Sequence, residues 1–461
     1  MKTCQVSLDI HKIIRHITKL YLISIIFILS NITPILGQCI GDCQNGLGVI
    51  NYPQGEKYEG GWKNGQKNGR GIYIFKNGDS YDGDWLNGKF QGTGTLKFQD
   101  GSKYTGAFRE NLMEGSGTYQ YTDGYSYTGE FKNNRRNGKG VYKFPDGDQY
   151  DGDFKDDKFS GFGKYKYANG DEYSGEFKED KFHGKGRILF ANGDSFDGNF
   201  LNGMKEGKGL YIFSNGSKYF GEFLKDKFSG AGVYTFVNGD EYSGEFRDNK
   251  FFGKGNYSFK NGSSYEGMFN NDRYSGNGTL TASDGTRYVG EFYDDLYHGK
   301  GSLTYQNGDV YTGEFKLGKY HGKGILLYAT GDKYSGDFVD GQRHGNGTYT
   351  YKNGDKYVGD FKEDRYNGKG VYTFADGNEY KGDFVNDSYN GKGVYIYNSG
   401  DRYEGEFLDD MRNGIGNYVS IDGTKYSGEY KNNKRHGKGT LADKNGKVLY
   451  SGQWLNGEQV R

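Results

Sequence analysis

A tyrosine, a glycine and a second aromatic residue at fixed spacing return every 23 residues through most of this chain. The pattern Tyr-x-Gly-x-aromatic begins at Tyr58 and recurs at Tyr81, Tyr104, Tyr127, Tyr150, Tyr173, Phe196 and Tyr219, and onward to Tyr426, giving seventeen units without an insertion. A half unit, Asn45 to Gly55, precedes them, and a truncated one, Tyr450 to Trp454, follows after one extra residue. Strict self-similarity at such a period belongs to arrays in which each repeat packs on its neighbours, not to a globular core. The composition is the unit multiplied: four glycines per unit, as at Gly60, Gly69, Gly71 and Gly78, account for 68 of the 81 glycines.

Within a unit, Tyr58, Gly60 and Trp62 alternate, as do Gly69, Gly71, Tyr73 and Phe75, and Asn77-Gly78 is a tight-turn signal. Each unit therefore reads as two short antiparallel strands with rings and glycines on one face. A ring from one strand is expected to lie on bare backbone of the next, with Gly60 and Gly71 as sockets. The predicted fold is all-β: an elongated, single-layer, twisted antiparallel β-meander of about seventeen two-strand repeats, about 160 Å long if straight. Its parts are a leading segment (1–37), an N-terminal cap with the half repeat (38–57), the array (58–449) and the truncated repeat (450–461).

The leading segment has the order of an export signal. Lys2, Lys12, Arg15 and Lys19 precede the apolar stretch Leu20 to Ser30, and a helix-breaking segment ends at Gly37. Residues 1–37 read as a signal peptide cut after Gly37 or as an uncleaved anchor across Leu20 to Leu36. Both place the repeats in the secretory pathway, secreted or membrane-anchored outside the cytosol; a later true start returns them to the cytoplasm. Cys39 and Cys43 then most simply close a disulfide beside the half repeat, with a two-cysteine metal site and intermolecular pairing as alternatives. The chain carries 60 Lys+Arg against 60 Asp+Glu, so its total charge offers no footprint for nucleic acid.

The run Tyr173-Ser-Gly175-Glu-Phe177, followed by His183-Gly184-Lys-Gly186, resembles the MORN (membrane occupation and recognition nexus) repeat, and the likeness covers about residues 45–454. That resemblance implies an extended twisted sheet and a scaffolding role, often where a membrane meets another partner. It also brings phosphoinositide binding, which has been proposed for the family.

The histidines after the leading segment (His183, His298, His321, His344 and His436) share one slot, read as a turn position ahead of Gly184 and its equivalents, since residues two strands apart are about 10 Å from each other, too far to share a metal. Acids at Asp84, Glu130, Asp153, Glu176, Glu222 and Glu245, and lysines at Lys139, Lys185, Lys208, Lys254 and Lys300, read as cross-strand pairs on the solvated face. A repeat makes environments alike, whereas paired catalytic carboxylates need unlike ones. The expectation is a protein that is not an enzyme and takes no cofactor or metal.

One further column has two readings. Phe159, Phe182, Phe228, Phe251, Tyr274, Tyr297, Tyr320, Tyr366 and Tyr389 either seal their own hairpins or form a partner-binding strip, and toward the ends the column turns basic at Lys67, Arg136, Arg412 and Arg435. The functional reading is a scaffold for protein partners, with a binding module for lipid headgroups or glycans on the Tyr/Phe face as the alternative. Six N-x-[Ser/Thr] sequons follow the leading segment, at Asn215, Asn256, Asn261, Asn277, Asn346 and Asn386. The N-terminal edge, with only a half unit, is the expected contact of an end-to-end homodimer.

Overall fold

The computed structural model describes residues 37–460. Each unit is a hairpin. In one example the seven residues Glu172–Lys178 form the first strand and the nine residues Lys181–Leu189 the second. Among the described residues this pattern yields 38 strands and no helix. The chain divides into two units, one running to Gly239 with Glu245–Lys250, the other comprising Asp240–Gly244 and everything from Phe251. Within the first, each strand from Gln38–Gly41 to Lys227–Thr235 pairs antiparallel with the next. Within the second, the same meander runs from Ser264–Asn270 to Glu458–Gln459.

Alternation decides the faces. Tyr173 opposes Ile188, Gly175 opposes Gly186, and Phe177 opposes Phe182, so rings and the glycine pair share one face while Ser174, Glu176 and Lys178 share the other. The glycines are there because the ring is. A Cβ on Gly186 would lie 2.4 Å from the Tyr173 hydroxyl, and one on Gly175 would lie 2.5 Å from the Cα of Gly186. Tyr173 thus lies on bare backbone, and its hydroxyl donates to the carbonyl of Glu176 at 2.8 Å. Gly60 and Gly71 hold Tyr58 in the same way, with the hydroxyl 2.6 and 2.4 Å from their would-be Cβ atoms, so the expected sockets are present.

Two turns close each unit; the sequence reading located the Asn-Gly turn but put a turn position at the His183 slot, which lies inside the strand Lys181–Leu189 opposite Glu176. The Asn-Gly connection is as read: Gly78 N–H donates to the Phe75 carbonyl at 3.0 Å. The hairpin tip is a second, two-residue turn with both residues left-handed, as at Asn133 (φ 50°) and Asn134 (φ 64°). Asn and Asp dominate there because they tolerate that region best among residues with a Cβ.

A bulge completes the unit. Register jumps from Gly175↔Gly186 to Glu176↔His183, leaving Gly184 and Lys185 unopposed on that side, with Gly184 at φ +56°. The freed Lys185 N–H donates to Glu176 Oε1 at 3.0 Å. At the C-terminal end the one extra residue is absorbed as a shift between Leu441↔Tyr450 and Ala442↔Val448.

Gly230 sits in the same bulge at φ +58°, and a Cβ there would lie 2.2 Å from Glu222 Oε2. Gly230→Val is expected to destabilise by about 3 kcal/mol or more, whereas Ser229→Val, at a half-buried strand position, changes stability by less than about 1 kcal/mol. Urea melts of the two variants decide this, and equal losses would contradict the bulge assignment.

Candidate interaction surface

All nine rings of the candidate strip stack on the tyrosine that opens their own unit. Centroid separations run from 3.7 Å for Tyr265–Tyr274 to 3.9 Å for Tyr288–Tyr297, with interplanar angles near 16°. Edge contacts continue to the next repeat, as Tyr150 meets Phe154 at 5.2 Å and Phe177 at 4.9 Å. Phe159, Phe182, Phe228, Phe251 and Tyr366 are buried by this packing, while Tyr274, Tyr297, Tyr320 and Tyr389 remain half-buried. The column is therefore a packing element along most of its length, and what it offers outward is tyrosine edges in its second half. Tyr305 reaches the half-buried Tyr320, and Tyr351 the buried Tyr366, hydroxyl to hydroxyl at 2.5 and 2.7 Å. Tyr167 has a buried hydroxyl without a protein partner.

Where the column is basic, the cation lies among rings. Arg136 is buried, meets Asp157 at 3.2 Å and lies 4.8 Å from the centroid of Tyr142. Lys205 meets Asp226 at 3.3 Å, and Arg343 meets Asp364 at 3.1 Å. Each of these carboxylates comes from the tip of the following hairpin. Lys67 differs, because the equivalent tip residue is Gly88. Its amine is boxed by Tyr73 at 4.0 Å, Trp85 at 5.1 Å, Tyr58 at 5.4 Å and Tyr52 at 5.5 Å, and burial pulls its pKa down to about 8 against the opposing pull of Glu56.

On the opposite face, acids and lysines pair across strands, as in Lys139–Asp153 at 2.6 Å and Lys323–Asp337 at 2.5 Å. The same acids also cap the bulge N–H groups, as Asp84 does for Thr93 at 2.9 Å and Glu291 for Lys300 at 3.1 Å. The histidines lie opposite these acids, in the pairs Glu176↔His183, Glu291↔His298, Glu314↔His321 and Asp337↔His344. Nδ1 is buried and without a protein hydrogen-bond partner in His183, His298, His321 and His436. Among the described residues no three His, Cys, Asp or Glu side chains are grouped to hold a metal ion. A disulfide joins Cys39, within the first strand, to Cys43 just after it. All six sequon asparagines are exposed.

A family model described as the MORN repeat matches seventeen consecutive segments, from 58–80 to 426–448. The chain belongs to the MORN repeat family. No curated protein matches it. Among solved structures, the TCP domain of Drosophila melanogaster SAS-4 in complex with a proline-rich motif of Ana2 shares 14% identity at a TM-score of 0.23, covering 37% of this chain and 85% of that one. The TCP10 domain of Danio rerio CPAP, in complex with a STIL peptide, shares 11% at 0.11, covering 73% and 98%. Virginiamycin B lyase from Staphylococcus aureus shares 14% at 0.12, covering 58% and 84%. Scores this low carry no argument about this array.

Two kinds of residue in this MORN array escaped the sequence reading. Asn or Asp at the hairpin tip exchanges hydrogen bonds with the preceding repeat: Phe159 N–H donates to Asp180 Oδ1 at 2.8 Å, and Asp180 N–H donates to the Phe159 carbonyl at 3.2 Å. At the other end, Asp148 accepts from Ala168 N–H at 2.8 Å and from the Tyr165 hydroxyl at 2.8 Å. Both recur every 23 residues, and their bonds to backbone N–H groups span 21 and 20 residues, a signal legible only when units are aligned and each column is asked what it bonds to in the next.

Gly88 has φ +78° and open space around a would-be Cβ, and its counterpart Asp157 adopts φ 71°. Gly88→Asp should therefore place a carboxylate on Lys67 as Asp226 does on Lys205. With Lys67 at about 8 folded and 10.5 unfolded, the unfolded chain binds more protons between those values. Stability accordingly rises as pH climbs through that window in the parent. In Gly88→Asp the rise should vanish and stability at pH 7 should increase by about 1–2 kcal/mol. Chemical melts from pH 7 to 10.5 read both, and an unchanged pH slope would contradict the boxed-lysine account.

Proposed function

We propose that this MORN array is a non-enzymatic scaffold whose repeated surface holds protein partners, in association with a membrane or outside the cell. The observation that carries the reading is where the repeated chemistry goes. Stacked rings, tip Asn and Asp, turn Asp and bulge-capping acids are spent on joining one repeat to the next, and what remains is a set of side chains presented again every 23 residues. Such a surface suits avid contact with a partner better than it suits a single reaction centre. The half-buried tyrosines Tyr274, Tyr297, Tyr320 and Tyr389 support a second reading, in which the Tyr/Phe face binds lipid headgroups or glycans.

Export is part of the proposal. The Cys39–Cys43 disulfide suits an oxidising compartment, while the expected signal itself lies outside the described residues except for Gly37. Self-association is proposed through the N-terminal edge, where Gln38–Gly41 is exposed along its length; the opposite edge is only the two residues Glu458–Gln459.

A C-terminally tagged protein should be found outside the cytosol with its N-terminus at Gln38 and should retain protein partners on gentle pull-down. Residues 38–461 should scatter light as a dimer, and a chain beginning at Lys57 as a monomer. Cytosolic protein without stable partners contradicts the scaffold reading in its exported form; equal masses for the two chains contradict the edge contact.

A further inference from the structure

The hairpin tips carry a charge pattern that the neutral total conceals. The last residue of each first strand opposes the first residue of the second across the two-residue turn, as Lys155 opposes Lys158. Over seventeen units, nine of the former positions and ten of the latter are Lys or Arg, and none is Asp or Glu. In three consecutive hairpins of the first unit both members are basic: Lys132↔Arg135, Lys155↔Lys158 and Lys178↔Lys181. Like charges directly opposite destabilise a sheet. The fold relieves this only in part. Arg135 meets Asp156 at 3.7 Å and Lys158 meets Glu179, whereas Lys132, Lys155, Lys178 and Lys181 form no ion pair among the described residues.

Two more observations fall on the same face. A recess between the first two hairpins is lined by Lys132, Asn133, Arg135, Asn137, Lys155 and Ser160. Asp153 and Asp156 also border it, but Asp153 is engaged by Lys139 at 2.6 Å and Asp156 by Arg135. Beside it, Phe162 stands 65% exposed where the neighbouring units carry Lys139 and Lys185. An exposed ring, opposed by Glu176 and flanked one repeat away on either side by Lys139 and Lys185, and a row of cation pairs repeating about every 10 Å, present apolar stacking and anion contacts to a linear polymer.

We propose that the hairpins spanning residues 127–189 bind an acidic polysaccharide, with its sulfate or carboxylate groups on the lysine pairs and one sugar ring on Phe162. The site lies on the face opposite the Tyr/Phe strip and does not depend on that strip binding anything. A nucleic acid is disfavoured because these three hairpins expose one aromatic ring, Phe162, whereas binders of single strands stack successive bases on several. An anionic bilayer is disfavoured because the tip pairs of these three hairpins offer no aliphatic side chain for insertion, and the one exposed ring lies away from the tips.

Calorimetric titration of the full chain with a size-defined heparin oligosaccharide tests this. The variant Lys132→Gln/Lys155→Gln/Lys178→Gln/Lys181→Gln should bind at least about tenfold more weakly, with a shallower salt dependence. Phe162→Ala should weaken binding with the salt slope kept, and Lys362→Gln/Lys431→Gln, in other hairpins, should leave it unchanged. Without ligand the quadruple variant should melt higher than the parent, because repulsion is removed, which separates lost binding from lost folding. The proposal is overturned by an absence of heparin binding, by undiminished binding in the quadruple variant, or by a lower melting temperature in that variant. It is equally overturned if a single-stranded oligonucleotide or phosphatidylserine vesicles bind through these residues as tightly as heparin does.

Discussion

Everything in this protein depends on a tyrosine ring lying flat on two glycines. The ring needs backbone without Cβ on its own strand and on the next, and the pairing Gly175↔Gly186 beneath Tyr173 supplies both. Because that ring is the surface on which the second-strand ring stacks and against which the next repeat sets its edge, one contact organises three strands. A single-layer sheet has no opposing layer to bury its apolar face. Here the rings bury one another, to the point that Tyr58, Tyr81, Tyr104 and Tyr127 have no exposed surface at all. Burial also pushes their hydroxyl pKa values up, so each phenol stays a hydrogen-bond donor to the carbonyl three residues on.

Around this contact, polar side chains do the joining that a globular protein leaves to its core. Tip Asn and Asp bond backward to the preceding hairpin and turn Asp bonds forward, so each repeat is tied at both ends of its strands. Bulge-capping carboxylates satisfy N–H groups that the register shift would otherwise strand. The stability of a repeat therefore resides largely in its neighbours, which is why one hairpin alone would not hold.

The period, the alternation of faces and the glycine sockets were legible in the sequence because they follow from two-residue alternation and a strict repeat. The hairpin tip was not, since Asn133-Asn134, Asp156-Asp157 and Glu179-Asp180 share a conformation without sharing a dipeptide. Nor was the bulge at Gly184, whose glycine looks like any other until the register is known. The position of the aromatic column was readable, but its exposure was not, because what covers Phe182 is Tyr173 stacked above it at 3.8 Å. The cation pairs at the tips escaped for a different reason: they are visible only when the seventeen units are aligned, while a total of zero hides them.

The most direct test of the ring-on-glycine account is native-state hydrogen exchange on Gly186→Ala, where the new methyl would lie 2.4 to 2.6 Å from Tyr173. The account predicts that amide protection collapses in Glu172–Lys178 and Lys181–Leu189 and weakens in the flanking hairpins, with distant repeats unaffected. Protection equal to the parent across Tyr173 and its neighbours would contradict it.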